Sequence, residues 1–169
     1  MIPITGLNHA VLFVREIERS LPFYETILGF TVVAQPHPNI VFLRVHGSGN
    51  HHDLGLMAVG NNAPLPGHGA VGLYHLAWEV PTIEDLAAAM TVLQDAGALL
   101  GASDHGASKS LYGRDPDGLE FEILWRVPRK DWGEFEHQAV TRSLNLPLEL
   151  ERFGNQSNVM YTNTEFISH

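Results

Sequence analysis

The sequence predicts an α+β fold in which two tandem βαβββ modules pair into an open β-barrel cup with the helices outside. Three observations predict it: an internal repeat, the same order of strand-like and helix-like segments in both copies, and a Pro-, Gly- and Asn-rich linker between them. A four-stranded sheet with one apolar face cannot bury that face alone. We therefore expect the two sheets to pair.

The internal repeat marks the start of each module. Gly6-Leu7-Asn8-His9 recurs 66 residues later as Gly72-Leu73-Tyr74-His75. An alternating apolar segment follows each copy, Ala10 to Val14 in the first and Leu76 to Val80 in the second, as expected of a half-buried strand. Corresponding residues should therefore occupy corresponding places in the two modules.

One helix is predicted after the first strand of each module. The first helix runs from about Ile17 to Leu28 and the second from about Thr82 to Ala96. Gly29 and Gly97 follow directly, and a glycine after the last helical residue is a common helix stop. Both modules therefore continue from strand to helix in the same way.

Three more strands are predicted after each helix, separated by turn residues. The six segments are Thr31–Gln35, Ile40–Val45, Asp53–Val59, Ala98–Gly101, Lys109–Arg114 and Leu119–Trp125. The modules then span residues 5–59 and 70–126, joined by linker 60–69, in one predicted domain, residues 1–126.

The C-terminal extension, residues 127–169, fits neither module. Trp132 and Phe135 are expected in an amphipathic turn, and Pro147 to Phe153 as a strand or an arm. The extension could cover the mouth of the cup or support a dimer, and a homo-oligomer is expected.

Composition limits the partners and the compartment. The formal net charge of −9, with scattered Lys and Arg, argues against nucleic acid or an anionic membrane as a partner. No apolar run approaches the roughly 20 residues that span a bilayer, and we expect no signal peptide. With no cysteine, a metal site would need nitrogen and oxygen ligands, and a cytoplasmic location is expected.

His9, His75 and Glu122 form the candidate metal site. Each alone could be explained as a hydrogen-bonded core histidine or a solvated glutamate. Together they favour a metal, because the histidines occupy repeat-equivalent positions and Glu122 lies in an otherwise apolar strand, where an unpaired charge is costly.

The first module has no counterpart of Glu122. Glu122 lies 47 residues after His75, and the same step from the first repeat histidine reaches Leu56. The nearest carboxylate, Asp53, is displaced by an odd step and falls on the other strand face. Two histidines and one carboxylate with open positions make the facial triad of non-haem Fe(II) oxygenases, whereas a fourth ligand would suit a Lewis-acid isomerase.

These modules and ligands resemble the vicinal-oxygen-chelate superfamily over about residues 5 to 126. Three segments resemble its type I extradiol dioxygenase branch. Leu111 to Glu122 resembles a Tyr-x-x-Asp-Pro-x-Gly signature with its ligand glutamate, and His105-Gly106 and His52-Asp53-Leu54-Gly55-Leu56 resemble two segments that carry active-site histidines. The resemblance implies an Fe(II) enzyme, with Mn(II) as the alternative metal, that cleaves a catechol-type aromatic diol with O2.

The resemblance also implies catalytic roles for His52, His105 and Tyr112. His52 would exchange protons with the diol and bound oxygen, while His105 and Tyr112 would hold and protonate intermediates. His51 is the alternative to His52, which is preferred because it adjoins Asp53.

Two other functions are compatible with the same fold. A metal-dependent glyoxalase- or epimerase-like isomerase or lyase would need an acid or glutamine near Leu56, where the sequence has none. A protein that sequesters an antibiotic would need an apolar cleft without metal ligands. The candidate ligands therefore favour the dioxygenase.

Overall fold

A computed structural model describes residues 1–65 and 69–154. The chain divides into two compact units. The first unit consists of residues 1–72 with Asp115–Leu119, and the second of residues 73–114 with the chain from Glu120 onward. Residues 66–68 of the predicted linker and 155–169 of the predicted extension lie outside the described residues.

The first unit has one mixed sheet and one helix. Its elements are β1 (Ala10–Val14), α1 (Ile17–Thr26), β2 (Thr31–His37), β3 (Ile40–Arg44) and β4 (Leu54–Ala58). The strand order is β1-β4-β3-β2, with β1 parallel to β4 and the other neighbours antiparallel. Parallel neighbours need a long crossover, which the segment from α1 to β3 supplies.

The second unit repeats this arrangement and adds to it. Its elements are β5 (Leu76–Glu79), α2 (Ile83–Asp95), β6 (Leu99–Asp104), β7 (Ser108–Arg114), β8 (Glu120–Arg126), β9 (Arg142–Ser143) and α3 (Leu146–Phe153). The strand order is β5-β8-β7-β6-β9, and β5 is parallel to β8. The predicted α+β class and tandem βαβββ repeat are therefore confirmed. No helix within the described residues is long and apolar enough to cross a membrane.

The start of α2 shows how local sequence determines an element. Thr82 Oγ1 accepts a hydrogen bond from the Asp85 amide at 3.0 Å, and the Asp85 carboxylate accepts one from the Thr82 amide at 3.1 Å. This capping box satisfies amides that the first helical turn leaves unpaired. One face of the helix is buried, through Ile83, Leu86 and Leu93.

The prediction of a strand or an arm over Pro147 to Phe153 was wrong, because these residues belong to α3. Asn145 caps the helix by accepting a hydrogen bond from the Leu148 amide at 3.3 Å. Pro147 has no backbone N–H, which is tolerated in the first turn because N–H groups there have no partner within the helix. The buried face is short and consists of Leu146, Glu149 and Phe153. Trp132 and Phe135 lie at two short 3-10 turns, Arg129–Asp131 and Gly133–Glu136.

Lys109 on β7 is buried between two carboxylates. Its ammonium contacts Asp104 Oδ1 and lies 3.4 Å from Oε2 of Glu149 on α3. Burial alone would raise the pKa of Asp104, but hydrogen bonds from Lys109 and the Gly106 amide outweigh it and lower that pKa. The cluster therefore ties α3 to the sheet.

We expect Lys109→Met to lower the free energy of unfolding by about 3 kcal/mol near neutral pH, because it leaves two carboxylates without their buried partner. Because the pKa of Asp104 is lower in the folded protein than in the unfolded chain, this carboxylate stabilises the fold at pH values above its unfolded-state pKa. That stabilisation is lost as the pH falls through its folded-state pKa. The difference from wild type should therefore shrink as pH falls below the ordinary pKa of an aspartate. Denaturant unfolding measures both effects.

Lys130, the only other lysine, is exposed and provides the matched control. Lys130→Met should change stability by less than about 0.5 kcal/mol. Equal stability of wild type and Lys109→Met would show that the buried cluster does not hold α3.

Candidate functional site

His75 and Glu122 adjoin in the second unit. Parallel β5 and β8 place Ala77 opposite Glu122, so the histidine just before β5 comes close to the same carboxylate. His75 Nε2 lies 3.1 Å from Glu122 Oε2, and the two side chains are 24% and 11% exposed. The structure thus brings together two of the three predicted metal ligands.

The geometry of this pair fits a divalent metal ion. Two ligand atoms about 2.1 Å from one ion, at right angles, lie about 3.0 Å apart. Imidazole nitrogen and carboxylate oxygen are also the ligand types of the facial triad. His75 Nδ1 is buried without a hydrogen-bond partner among the residues the structure describes, so its polar requirement is unmet by the surrounding protein.

Tyr112 connects this pair to His105. Antiparallel β7 and β8 place Tyr112 opposite Glu122, and its ring centroid lies 5.8 Å from that of His75. His105 Nε2 lies 2.7 Å from the Tyr112 hydroxyl. Burial, followed by the charge of Glu122, raises the pKa of Tyr112, so the phenol keeps its proton near neutral pH. Four of the six predicted site residues therefore lie together.

The C-terminal extension supports His105. The Val140 carbonyl accepts a hydrogen bond from His105 Nδ1 at 2.9 Å, which leaves Nε2 to accept one from Tyr112. The extension is held nearby, because β9 pairs with β6 and the Phe135 ring covers Gly106 so closely that a Cβ there would lie 2.4 Å from it. Val140 was not predicted from the sequence, since its contact is made by a backbone carbonyl, which carries no residue-type signal.

A turn from Asp115 to Gly118 precedes the strand that carries Glu122. The Asp115 carboxylate accepts hydrogen bonds from the Asp117 amide at 2.9 Å and the Leu119 amide at 2.8 Å. Gly118 has φ of 85°, a left-handed conformation that favours glycine. This tight connection joins β7 to β8, whose register pairs Tyr112 with Glu122.

His9 and His52 lie together in the first unit. Their ring centroids are 4.5 Å apart, and His52 also contacts the Phe42 ring at 4.6 Å. His51 is exposed by comparison. Burial, followed by the charges of His9 and His51, lowers the pKa of His52, which favours a neutral imidazole near pH 7. Of the two adjacent histidines, His52 contacts the candidate ligand.

The sequence-based reason for preferring His52 does not hold in the structure. Asp53 instead accepts hydrogen bonds from Ser48 Oγ at 2.7 Å, Asn50 Nδ2 at 2.8 Å and the Val45 amide at 3.0 Å. The carboxylate therefore braces the loop before β4. Support for His52 comes from its own ring contacts.

The strand register identifies the first-module counterpart of Glu122. In the second module Ala77 pairs with Glu122, and the residue 66 positions before Ala77 is Val11, which pairs with Gly55. The counterpart is therefore Gly55 rather than Leu56, so the sequence prediction was displaced by one residue. The conclusion that a fourth ligand is missing at this place still holds.

The surroundings of Gly55 are tightly packed. A Cβ at this position would lie 3.3 Å from Val11 Cγ2 and 3.4 Å from the Phe42 ring. Phe42 pairs with Gly55 as Tyr112 pairs with Glu122. The first module thus places an aromatic ring and a glycine where the second has a phenol and a carboxylate.

Each unit therefore gathers part of the predicted site. No group of three or more His, Cys, Asp or Glu side chains that could hold a metal ion occurs within residues 1–65 and 69–154. The participation of His9 with His75 and Glu122 stays a prediction.

Comparison with known proteins identifies the family. The model of the Glyoxalase/Bleomycin resistance protein/Dioxygenase superfamily matches residues 6–123. The chain belongs to this superfamily. This confirms the resemblance that the sequence motifs indicated.

Two curated dioxygenases are similar to this chain. Catechol-2,3-dioxygenase of Bacillus subtilis is 30% identical over 168 residues, covering 98% of this chain and 58% of the relative. Biphenyl-2,3-diol 1,2-dioxygenase 3 of Rhodococcus globerulus is 34% identical over 119 residues, covering 69% and 61%. The chain thus spans about three fifths of the length of these relatives.

A solved structure supports the fold. The glyoxalase/dioxygenase from Nostoc punctiforme matches with a TM-score of 0.63 and 21% identity, covering 76% of this chain and 97% of that chain. At this identity the match shows the fold alone.

Proposed function

We propose that this chain is an Fe(II)-dependent extradiol dioxygenase that cleaves the ring of a catechol-type aromatic diol with O2. The observation that carries the proposal is the cluster of His75, Glu122, Tyr112 and His105, in which an imidazole–carboxylate pair adjoins a hydrogen-bonded phenol. The names of the similar dioxygenases support the same reaction class.

His75 and Glu122 would hold the metal together with His9, which completes a two-histidine, one-carboxylate set. Bound Fe(II), or alternatively Mn(II), would supply a Lewis acid and an electron path between diol and O2. This ligand set requires both modules to contribute to one site. We therefore propose that residues 1–126 act as one domain and that the two sheets pair as the predicted open cup. A cytoplasmic homo-oligomer is part of the same proposal.

Three side chains would then manage protons around the diol. A neutral His52 can accept a proton from a diol hydroxyl, because its lowered pKa keeps the imidazole unprotonated near pH 7. Tyr112 retains its proton and donates to His105, so this pair can stabilise and protonate a substrate oxygen as the ring opens.

We expect Tyr112→Phe to lower kcat by about 100-fold while Fe(II) binding stays near the wild-type value, because general acid groups contribute at least this much. Steady-state oxygen uptake and metal content measure the two quantities. Tyr74→Phe is the control, since Tyr74 is exposed and adjoins the same histidine. An unchanged kcat in Tyr112→Phe would exclude Tyr112 from the chemistry.

The proposed activity is tested by offering anaerobically prepared, Fe(II)-bound protein two sets of substrates. One set contains catechol, methylcatechols and biphenyl-2,3-diol in the presence of O2; the other is the hemithioacetal of methylglyoxal and glutathione. The proposal expects a yellow ring-opened product from at least one diol. Isomerisation of the hemithioacetal without turnover of any diol would instead establish the glyoxalase-like alternative.

A further inference from the structure

A hydrogen-bond network in the first unit ends on His9. Asn8 Oδ1 lies 2.8 Å from His9 Nδ1, and Asn8 Nδ2 donates to Asn50 Oδ1 at 3.1 Å. Asn50 Nδ2 donates back to the Asn8 carbonyl oxygen and to Asp53 Oδ1, each at 2.8 Å. The network therefore connects a buried carboxylate to a candidate metal ligand.

We propose that Asn8, held by Asn50 and Asp53, is a positioning residue that fixes the ring tautomer of His9 for metal binding. The inference rests on the proposed function, which makes His9 a metal ligand.

The direction of the network determines where the His9 proton lies. Because Asn8 uses its NH2 group to donate to Asn50, its carbonyl oxygen is the atom that meets His9. An amide oxygen only accepts, so His9 Nδ1 must carry the proton and Nε2 keeps its lone pair. A histidine binds a metal through such an unprotonated nitrogen, and the hydrogen bond at the other nitrogen selects it.

Asp53 anchors the network. It is 9% exposed and receives hydrogen bonds from Ser48 Oγ, the Val45 amide and Asn50 Nδ2. These contacts fix the carboxylate from three directions and, through it, the amide of Asn50. This gives the acid beside His52 a role although it binds neither that histidine nor the predicted metal.

The second module supports its histidine differently. The repeat places Tyr74 at the position of Asn8, and His75 Nδ1 has no hydrogen-bond partner within the described chain. His75 is held instead by its contact with Glu122. The Asn8 network therefore belongs to the first module and to His9 alone of the two repeat histidines.

The tautomer can be measured without metal or substrate. Long-range nitrogen–proton NMR at a pH where the imidazoles are neutral should show His9 protonated at Nδ1 in the wild type, with the signal identified by its loss in His9→Gln. Asn8→Leu removes the acceptor and should shift the proton toward Nε2. Asn8→Asp keeps an acceptor oxygen and should restore the Nδ1-protonated form.

Metal affinity supplies the second readout. Titration with Mn(II) alone, followed by the electron paramagnetic resonance signal of the free ion, should show about 10- to 100-fold weaker binding in Asn8→Leu. Asn8→Asp should recover most of the affinity. Asn50→Ala should weaken binding in the same direction through release of Asn8, and thermal unfolding checks that each variant folds.

The proposal is overturned if wild-type His9 carries its proton on Nε2, if wild type binds no Mn(II), or if Asn8→Leu binds Mn(II) as wild type does. A failure of the dioxygenase proposal has a different signature. In that case no diol is cleaved, while the tautomer and the Mn(II) affinities still follow the order expected here.

Discussion

Glu122→Gln is expected to bind Fe(II) weakly and to lose ring cleavage by about a thousandfold or more. The substitution keeps the size of a side chain that is 11% exposed, but replaces the carboxylate beside His75 with an amide. A metal ion lowers the activation free energy of such a reaction by several kcal/mol, and each 1.36 kcal/mol of activation free energy changes the rate about tenfold. Metal content after desalting and oxygen-uptake kinetics measure the two losses.

Glu120 provides a matched control for this experiment. It lies two residues earlier on β8, on the same strand face, in a partly exposed ion pair with Arg114 at 2.7 Å. Exposed ion pairs contribute little to the stability of the folded protein, so the Glu120→Gln variant should bind Fe(II) and cleave the diol as wild type does. Equal losses in both variants would trace the effect to the strand, and full activity in Glu122→Gln would remove Glu122 from the ligand set.

His52→Gln should retain bound Fe(II) but lower kcat by about 100- to 10,000-fold, the usual range for a general acid or base. Glutamine can hydrogen-bond but cannot exchange a proton near neutral pH. The ring contacts of His52 with His9 and Phe42 place it beside the candidate ligand, and its lowered pKa favours the basic form. Single-turnover rates with metal-replete protein separate this effect from metal loss.

His51→Gln is the comparison for His52. The two Nδ1 atoms lie 3.1 Å apart, but His51 is exposed and contacts neither His9 nor Phe42 in a ring pair, so its loss should lower kcat far less than the loss of His52. The reverse pattern would transfer the acid–base role to His51. Wild-type rates in both variants would show that neither histidine moves a proton in the rate-limiting step.

Local patterns in the sequence predicted much of the fold. The repeat predicted the same succession of one strand, one helix and three strands in both modules, and the structure shows it. The structure of the extension was harder to predict. The eight residues of α3 make too few helical turns to distinguish the 3.6-residue period of a helix from the two-residue alternation of a strand. Its cap at Asn145 was the signal that could have identified the helix.

The candidate site was predictable where side-chain type carries the chemistry. His75, Glu122, Tyr112 and His105 do lie together in the second unit. Contacts made by backbone atoms or by residues far apart in sequence were not predictable in this way. The Val140 carbonyl is an example of the first kind, and the Asn8–Asn50 pair, 42 residues apart, is an example of the second.

The counterpart of Glu122 shows a further limit of counting along the chain. A constant step from the repeat histidine reached Leu56, whereas the strand register selects Gly55. The turns between strands differ in length between the modules, so a constant sequence offset stops matching equivalent residues. The hydrogen-bonded strand pairing still identifies them. In the structure the glycine adjoins the Val11 and Phe42 side chains.

The central claim is that the chain incorporates dioxygen into a diol, and the most direct test is the amount of O2 consumed per diol. We expect Fe(II)-bound protein to consume one molecule of O2 for each molecule of diol, with a yellow ring-opened product, and Glu122→Gln to consume O2 about a thousandfold more slowly. Disappearance of diol without O2 uptake, or no O2 uptake with any diol despite one bound iron per chain, would contradict the claim.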